Sequence, residues 1–189
     1  MILTLILSLF ALELTPKEVI PVNTQKSTIA WEGGSATTTH NGLIGLKSGA
    51  LEISDGKLTG GTFEVDMTSI TNLDVSEAYR GKLENHLKSE DFFDANAFPS
   101  AHLIIIRTIA ERENLYRIVA DLTIRNIKKT IEFDATLSPS ENGYEATATF
   151  NFDRSEFEVK HRSGSFFMNL GDKLIYDDIK LEISLVTQQ

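Results

Sequence analysis

From Thr28 onward, apolar and polar residues alternate with a period of two, the mark of strands that bury one face. Across 116–125, Tyr116, Ile118, Ala120, Leu122 and Ile124 form one set, with Arg117, Val119, Asp121, Thr123 and Arg125 between them. Across 130–137, Ile131, Phe133, Ala135 and Leu137 oppose Thr130, Glu132, Asp134 and Thr136. Across 145–153, Ala146, Ala148, Phe150 and Phe152 face one way, and Ile179, Leu181, Ile183 and Leu185 repeat the pattern near the end of the chain. Earlier strands are predicted at 28–32, 44–54, 62–69 and 103–109, with Phe63, Val65 and Met67 on one face of the third. The pattern thus predicts about eight one-sided strands.

The punctuation predicts short connections. Asn41-Gly42, Asp55-Gly56, Gly60-Gly61, Asn142-Gly143 and Gly171-Asp172 offer the positive-φ positions that hairpin turns need. Short connections imply antiparallel, up-and-down pairing. Eight one-sided strands must either close into a barrel or pack as two sheets. Closure removes the edges and leaves room for one small ligand. Within such a lumen, Ala146 and Ala148 would leave space at one level, and Phe150 and Phe152 would block the far end. One helix interrupts the strands: Val75, Tyr79, Leu83 and Leu87 make a single apolar stripe, and Asp74 with Glu77 resembles a capping box. After it, Phe92 and Phe93 stand among Lys88, Glu90, Asp91 and Asp94. A phenylalanine pair in a charged run turns inward while the charges turn out, which makes 86–99 a candidate lid.

The first residues read differently. Ile2 to Leu12 is an apolar run broken only by Thr4 and Ser8, too short to span a membrane and suited to the core of an export signal. Residues 1–22 are therefore expected to be a signal and leader, and 23–189 a single domain. A basic start and a clear cleavage site are missing. The 189 residues carry a net charge of -9, which argues against nucleic acid or an anionic surface as the main partner. The basic clusters, Arg125 with Lys128 and Lys129 and Lys160 with Arg162, read as solvated turns. With no cysteine, stability must come from packing and hydrogen bonds. A periplasmic or secreted location is expected.

Residues that could carry chemistry are sparse. His40, His86, His102 and His161 are scattered, with no metal-ligand spacing, so no metal is expected. His40 reads as a turn-stabilising group before Gly42. His86 reads either as a surface residue or as a hydrogen-bonding contact for a ligand head group. Glu90, Asp91 and Asp94 lack the alternating oxygen ligands of a calcium loop and read as helix-capping, solvated carboxylates. Ser163-Gly164-Ser165 has no evident general base and no nucleophile-elbow pattern around it. An enzyme has little support, and no catalytic residue and no cofactor is assigned.

Several motifs in order carry a resemblance: His40-Asn41-Gly42, Ser48-Gly49, Gly60-Gly61, Asp66-Met67 with Ser69-Ile70, and His86-Leu87-Lys88-Ser89 with Asp91-Phe92-Phe93-Asp94. Phe98-Pro99, Leu122-Thr123-Ile124-Arg125, Phe152-Asp153-Arg154 and the closing stretch 174–185 continue it. The chain resembles the YceI-like family of bacterial polyisoprenoid-binding proteins over 28–186. Asn126 stands where that family usually has glycine, and the Ala120-Asp121 stretch replaces another, which would narrow the lumen locally. The resemblance implies an all-β, eight-stranded antiparallel, lipocalin-like barrel with one helical lid segment. It also implies export, and a long apolar ligand such as a polyisoprenoid, an isoprenoid quinone or a fatty chain. It admits a homodimer, and stable membrane insertion is not expected.

The wall of such a lumen would comprise Phe63, Val65, Met67, Leu122, Ile124, Phe133, Phe150, Phe152, Leu181 and Ile183, with Leu83, Leu87, Phe92, Phe93 and Phe98 as lid and mouth. Periodicity alone cannot separate this from a packed core. The alternatives are therefore a ligand-free structural or stress-response barrel, or an enzyme acting inside the barrel.

Overall fold

A computed structural model describes residues 16–188. The strands are β1 (Glu18–Pro21), β2 (Thr28–Gly34), β3 (Thr39–Ser54), β4 (Lys57–Asn72), β5 (Ser100–Arg112), β6 (Leu115–Ile124), β7 (Ile127–Ser140), β8 (Gly143–Asp153) and β9 (Asp178–Val186), with one helix, α1 (Glu77–Lys88), between β4 and β5. Pairing runs β3-β2-β9-β8-β7-β6-β5-β4 and returns from β4 to β3, antiparallel throughout. Strands β2 to β9 therefore close an eight-stranded barrel, the one of the two arrangements open to alternating strands that the resemblance implies.

The apolar run of the expected leader lies outside the described residues. Within the segment assigned to that leader, Glu18–Pro21 form β1 and pair with Ala50 to Ile53 of β3. β1 and β2 share one slot between β3 and β9. β1 fills its lower half, bridging through Val22 to Thr187, and β2 fills the upper half. Asn23 turns the chain between them, its side chain accepting the amides of Gln25 and Lys26.

Turn chemistry follows the sequence in three places and departs from it in two. Asp55 and Gly56 both take positive φ, as do Gly143 and Gly171. Arg125 and Asn126 also have positive φ (50° and 60°), so Asn126 serves the turn where a glycine is usual. Asn41-Gly42 and Gly60-Gly61, expected as turns, lie inside β3 and β4. At Gly42 the missing side chain matters for approach: a Cβ there would run into the Thr71 carbonyl and the Trp31 indole. His40 is accordingly a strand residue, its Nδ1 3.0 Å from Asp74 Oδ2, and not a turn stabiliser.

The helix is capped differently from the expectation. Its N-cap is Ser76, with no side-chain cap bond. Asp74 instead faces His40 and accepts the Asn41 amide. Buried Asn72 fixes the entry, since its Oδ1 accepts the Val75 amide and its Nδ2 donates to the Asn41 carbonyl. Tyr79, placed on the inward stripe, is 66% exposed, and no residue of α1 is fully buried. α1 lies across the barrel rim, where Leu83, His86 and Leu87 turn toward the interior. Among the described residues no helix is long and apolar enough to cross a membrane.

The interior has two ends. At the end of the short hairpins, Leu51, Ile53, Leu58, Tyr116, Ile118 and Leu137 pack into one cluster and make the floor. At the other end, Met67, Ile70, Ala95, Leu122, Ile124 and Phe157 form a second cluster beneath the long connections 73–99 and 154–177. The large residues of β8 do not block the far end as expected. Phe150 stacks on Phe133 (centroids 4.3 Å apart), and Phe152 packs edge-on against Phe157 near the mouth.

Candidate functional site

Between these clusters the barrel encloses a cavity of about 570 Å³. Every strand from β2 to β9 contributes wall, because the inward set of each alternating strand points into it. Phe63, Val65, Met67, Leu122, Ile124, Phe133, Phe150, Phe152, Leu181 and Ile183 all line it. Leu83 and Leu87 of α1 and both phenylalanines of the lid, Phe92 and Phe93, close over it. Phe98 does not line the cavity: it sits outside, beneath the Arg125 guanidinium (Cζ 5.6 Å from the ring centroid), because the chain has already turned toward β5.

Sequence reasoning left out part of the wall. Trp31, Ile44, Ile70, Leu103 and Ile179 also face the lumen. Period two carried through β2 and the start of β3 reaches Trp31 and Ile44, and along β5 and β9 it reaches Leu103 and Ile179, whereas Ile70 is out of phase with Met67 because the β3–β4 register shifts there. The small residues Ala135 and Ala148, paired across β7 and β8, face the cavity midway along the barrel. They provide the width that Phe133 and Phe150 remove one step away.

The lid is fastened by its own backbone. After α1, the amides of Phe93 and Ala95 bond the carbonyls of Leu87 and Lys88, while those of Phe92 and Asp94 return to Ser89. Asp94 adopts φ 48°, turning the chain so that Phe92 (5% exposed) and Ala95 point inward. This arrangement places Glu90, Asp91 and Asp94 on the outer side of the turn.

Opposite the lid runs the return segment between β8 and β9, organised by Arg154. Its side chain has no exposure, and its guanidinium donates to the carbonyls of Val159, His161, Ile175 and Tyr176 while pairing with Asp177 at 3.1 Å. A buried charge is tolerated only when so fully satisfied. Burial lowers the Arg154 pKa, and Asp177 and Asp153 oppose that shift. Asp177 Oδ2 also accepts both hydroxyls of the Ser163-Gly164-Ser165 stretch, at 2.8 and 2.9 Å. These serines therefore shape a loop. Beyond them Phe166, Phe167 and Met168 stand exposed, Met168 by 89%.

The mouth carries the polar groups. His40, His86, His102, His161, Arg162 and Lys173 reach the cavity lining. The fold brings two of the scattered histidines together: the rings of His86 and His161 meet edge to face at 4.8 Å, and both contact Phe92. Asp91 faces them, 3.6 Å from His86 Nδ1 and 4.0 Å from His161 Nδ1. Burial foremost, and then the neighbouring His86, hold the His161 pKa below its ordinary value. A deep apolar lumen with a polar rim of mixed charge, where Asp172 joins Arg162 and Lys173, can take an elongated molecule with one polar end.

Comparisons with known proteins agree with this geometry. The chain is similar in fold to BcnA of Burkholderia cenocepacia (TM-score 0.71, 17% identity, covering 87% of this chain and 98% of that one). It is likewise similar to a polyisoprenoid binding domain from Saccharophagus degradans implicated in plant cell wall breakdown (TM-score 0.66, 8% identity, 89% and 97% covered). A YCEI protein of Campylobacter jejuni aligns with a TM-score of 0.54 at 18% identity, covering 70% of this chain and 74% of that one. A search of the curated proteins found no match. The model of the YceI-like domain matches residues 21–187, so the chain belongs to the YceI-like family.

Proposed function

We propose that the protein binds, and stores or carries, a long apolar molecule in the barrel lumen, with a polyisoprenoid, an isoprenoid quinone or a fatty chain as the ligand class. The observation that carries this is the cavity itself. A lumen of about 570 Å³ with almost wholly apolar walls falls within the roughly 300–1,000 Å³ of small-molecule sites and far exceeds ordinary packing voids. A barrel built only for stability would fill that space, since unfilled apolar volume is destabilising. The affiliation with the YceI-like family and the similarity to a polyisoprenoid binding domain support the same class of ligand.

The mechanism is partition. Each methylene moved from water into the lumen contributes roughly 0.8 kcal/mol, and the cost of ordering the chain absorbs part of the gain. The lid of Phe92 and Phe93 would then retard escape. Work in the periplasm or outside the cell fits a carrier of this kind, with the acidic exterior keeping the loaded barrel dissolved.

The test is native mass spectrometry of protein purified without detergent, followed by solvent extraction. An added mass, released by solvent and identified as an isoprenoid or fatty chain, is the expected result. A bare polypeptide mass that persists after incubation with isoprenoid quinones would favour a ligand-free barrel.

A further inference from the structure

His86, Asp91 and His161 are 75 residues apart at their extremes, yet their donor atoms all lie within 4.8 Å of one another. We propose that they form a site for a divalent transition-metal ion, of the zinc, cobalt or nickel type, at the mouth of the cavity. Two imidazole nitrogens and one carboxylate oxygen are the ligands such ions take, whereas calcium and magnesium prefer oxygen alone.

The distances do not describe a finished ion-pair cluster. At 3.6 and 4.0 Å the carboxylate is too far from either imidazole nitrogen for a hydrogen bond. Three ligands on one ion, each at about 2.0–2.2 Å, stand roughly 3–3.5 Å apart. The donors therefore need to draw in by about 1 Å or slightly more. The Asp91 side chain is 61% exposed and can swing to do this.

The imidazoles are better held. His86 sits in the last turn of α1 with its ring edge-on to Phe92, and the His161 carbonyl is gripped by Arg154. Two supported nitrogens and one adjustable oxygen make a workable ligand set. Metal binding also requires unprotonated imidazoles, and the lowered pKa of His161 favours that form. The nearby cations do not preclude an ion. Arg154 is paired with Asp177, and Glu90 and Glu158 lie with Asp91 around the adjoining polar cleft, facing Arg125, Lys160 and Arg162.

Both histidines also line the lumen, so an ion held by three protein ligands would keep an open coordination position toward the cavity. A carboxylate, phosphate or carbonyl oxygen at the end of a bound chain could fill it. That consequence alone rests on the carrier role. The other close pair at the mouth, His40 with Asp74, has a single imidazole, and its carboxylate already accepts the Asn41 amide. It serves as the comparison.

The test uses the full chain, stripped with chelator and free of added lipid, so its outcome is independent of whether the lumen holds a ligand. Zinc is titrated by calorimetry and cobalt by visible absorption. One ion per chain is expected, with His86→Gln and His161→Gln each weakening binding at least tenfold, Asp91→Asn weakening it less, and His40→Gln leaving it unchanged. Histidine side-chain NMR of the unmutated protein reads the same site without relying on a variant that folds. Zinc should shift the His86 and His161 ring signals and leave His40 and His102 in place. No binding up to millimolar ion, binding that survives both histidine substitutions, or shifts centred on His40 would overturn the proposal.

Discussion

The Arg154 guanidinium lies over the Phe92 ring, Cζ 5.4 Å from its centroid, and this contact joins the lid to the return segment before β9. One side chain thus holds four carbonyls of that segment, one carboxylate and the underside of the lid. Replacing it strips partners from all of them. Arg154→Met is expected to cost about 3–5 kcal/mol, the penalty for leaving one half of a buried ion pair behind. Urea denaturation measures it. A loss below 1 kcal/mol would show that the network is dispensable.

The two lid phenylalanines should part company. Phe92 is buried against Arg154, His86 and His161, so Phe92→Ser should lower stability by about 3–5 kcal/mol. Phe93 is half-buried and faces the lumen. Phe93→Ser should barely change the denaturation midpoint yet speed ligand release by about tenfold, as expected for roughly 1.5 kcal/mol of lost apolar contact. Dissociation kinetics beside denaturation curves would show the split, and equal effects at both positions would assign the whole pair to the core.

Ala148 faces the lumen at mid-depth, flanked in the wall by its cross-strand neighbours Ala135 and Ile183. Ala148→Phe should block the passage to the floor while the barrel still folds. Affinity should then stop rising with chain length earlier than in the unmodified protein. Each excluded methylene costs roughly 0.8 kcal/mol, about fourfold in affinity. Binding a chain-length series tests this directly. An unchanged length dependence would mean that ligands do not pass Ala148.

Acid should loosen the mouth. Burial foremost, with His86, Arg162 and Arg154 adding to it against the pull of Asp91, keeps the His161 pKa below 6.5. The folded protein therefore takes up this proton less readily than the unfolded chain. The resulting stability is complete above about pH 6.5 and is lost as the pH falls from there through the folded-state value. Melting temperature should drop between pH 7.5 and pH 5, and His161→Gln should flatten that drop. An identical profile in the variant would remove His161 from the acid response.

The strands were legible because alternation is local, while the choice of a closed barrel over two packed sheets came from the resemblance. Each of β2 to β9 carries its inward set in its own sequence, and Asp55-Gly56 and Asn142-Gly143 mark hairpins unaided. What escaped depended on distant partners. Gly42 looks like a turn residue until Trp31 and Thr71 are seen to crowd it. Asp74 looks like a helix cap until His40, 34 residues earlier, takes its carboxylate. Arg154 passed for part of a motif, although nothing within its own stretch reveals four carbonyls converging on it. The wall residues were readable from periodicity, while the presence of a void was not, since a filled core alternates in the same way. Likewise the meeting of His86 with His161 arises only from the lid closing over the return segment.

The central claim is that the lumen takes up an apolar chain, and Trp31 offers a direct reporter. It is the single tryptophan of the chain, and it lines the cavity with its indole N–H donating to the Thr71 carbonyl at 3.1 Å. Titrating the delipidated protein with a long-chain isoprenoid quinone should quench its fluorescence saturably at one ligand per barrel, and Ala148→Phe should weaken that curve. Quenching that rises linearly without saturation would contradict uptake into the lumen.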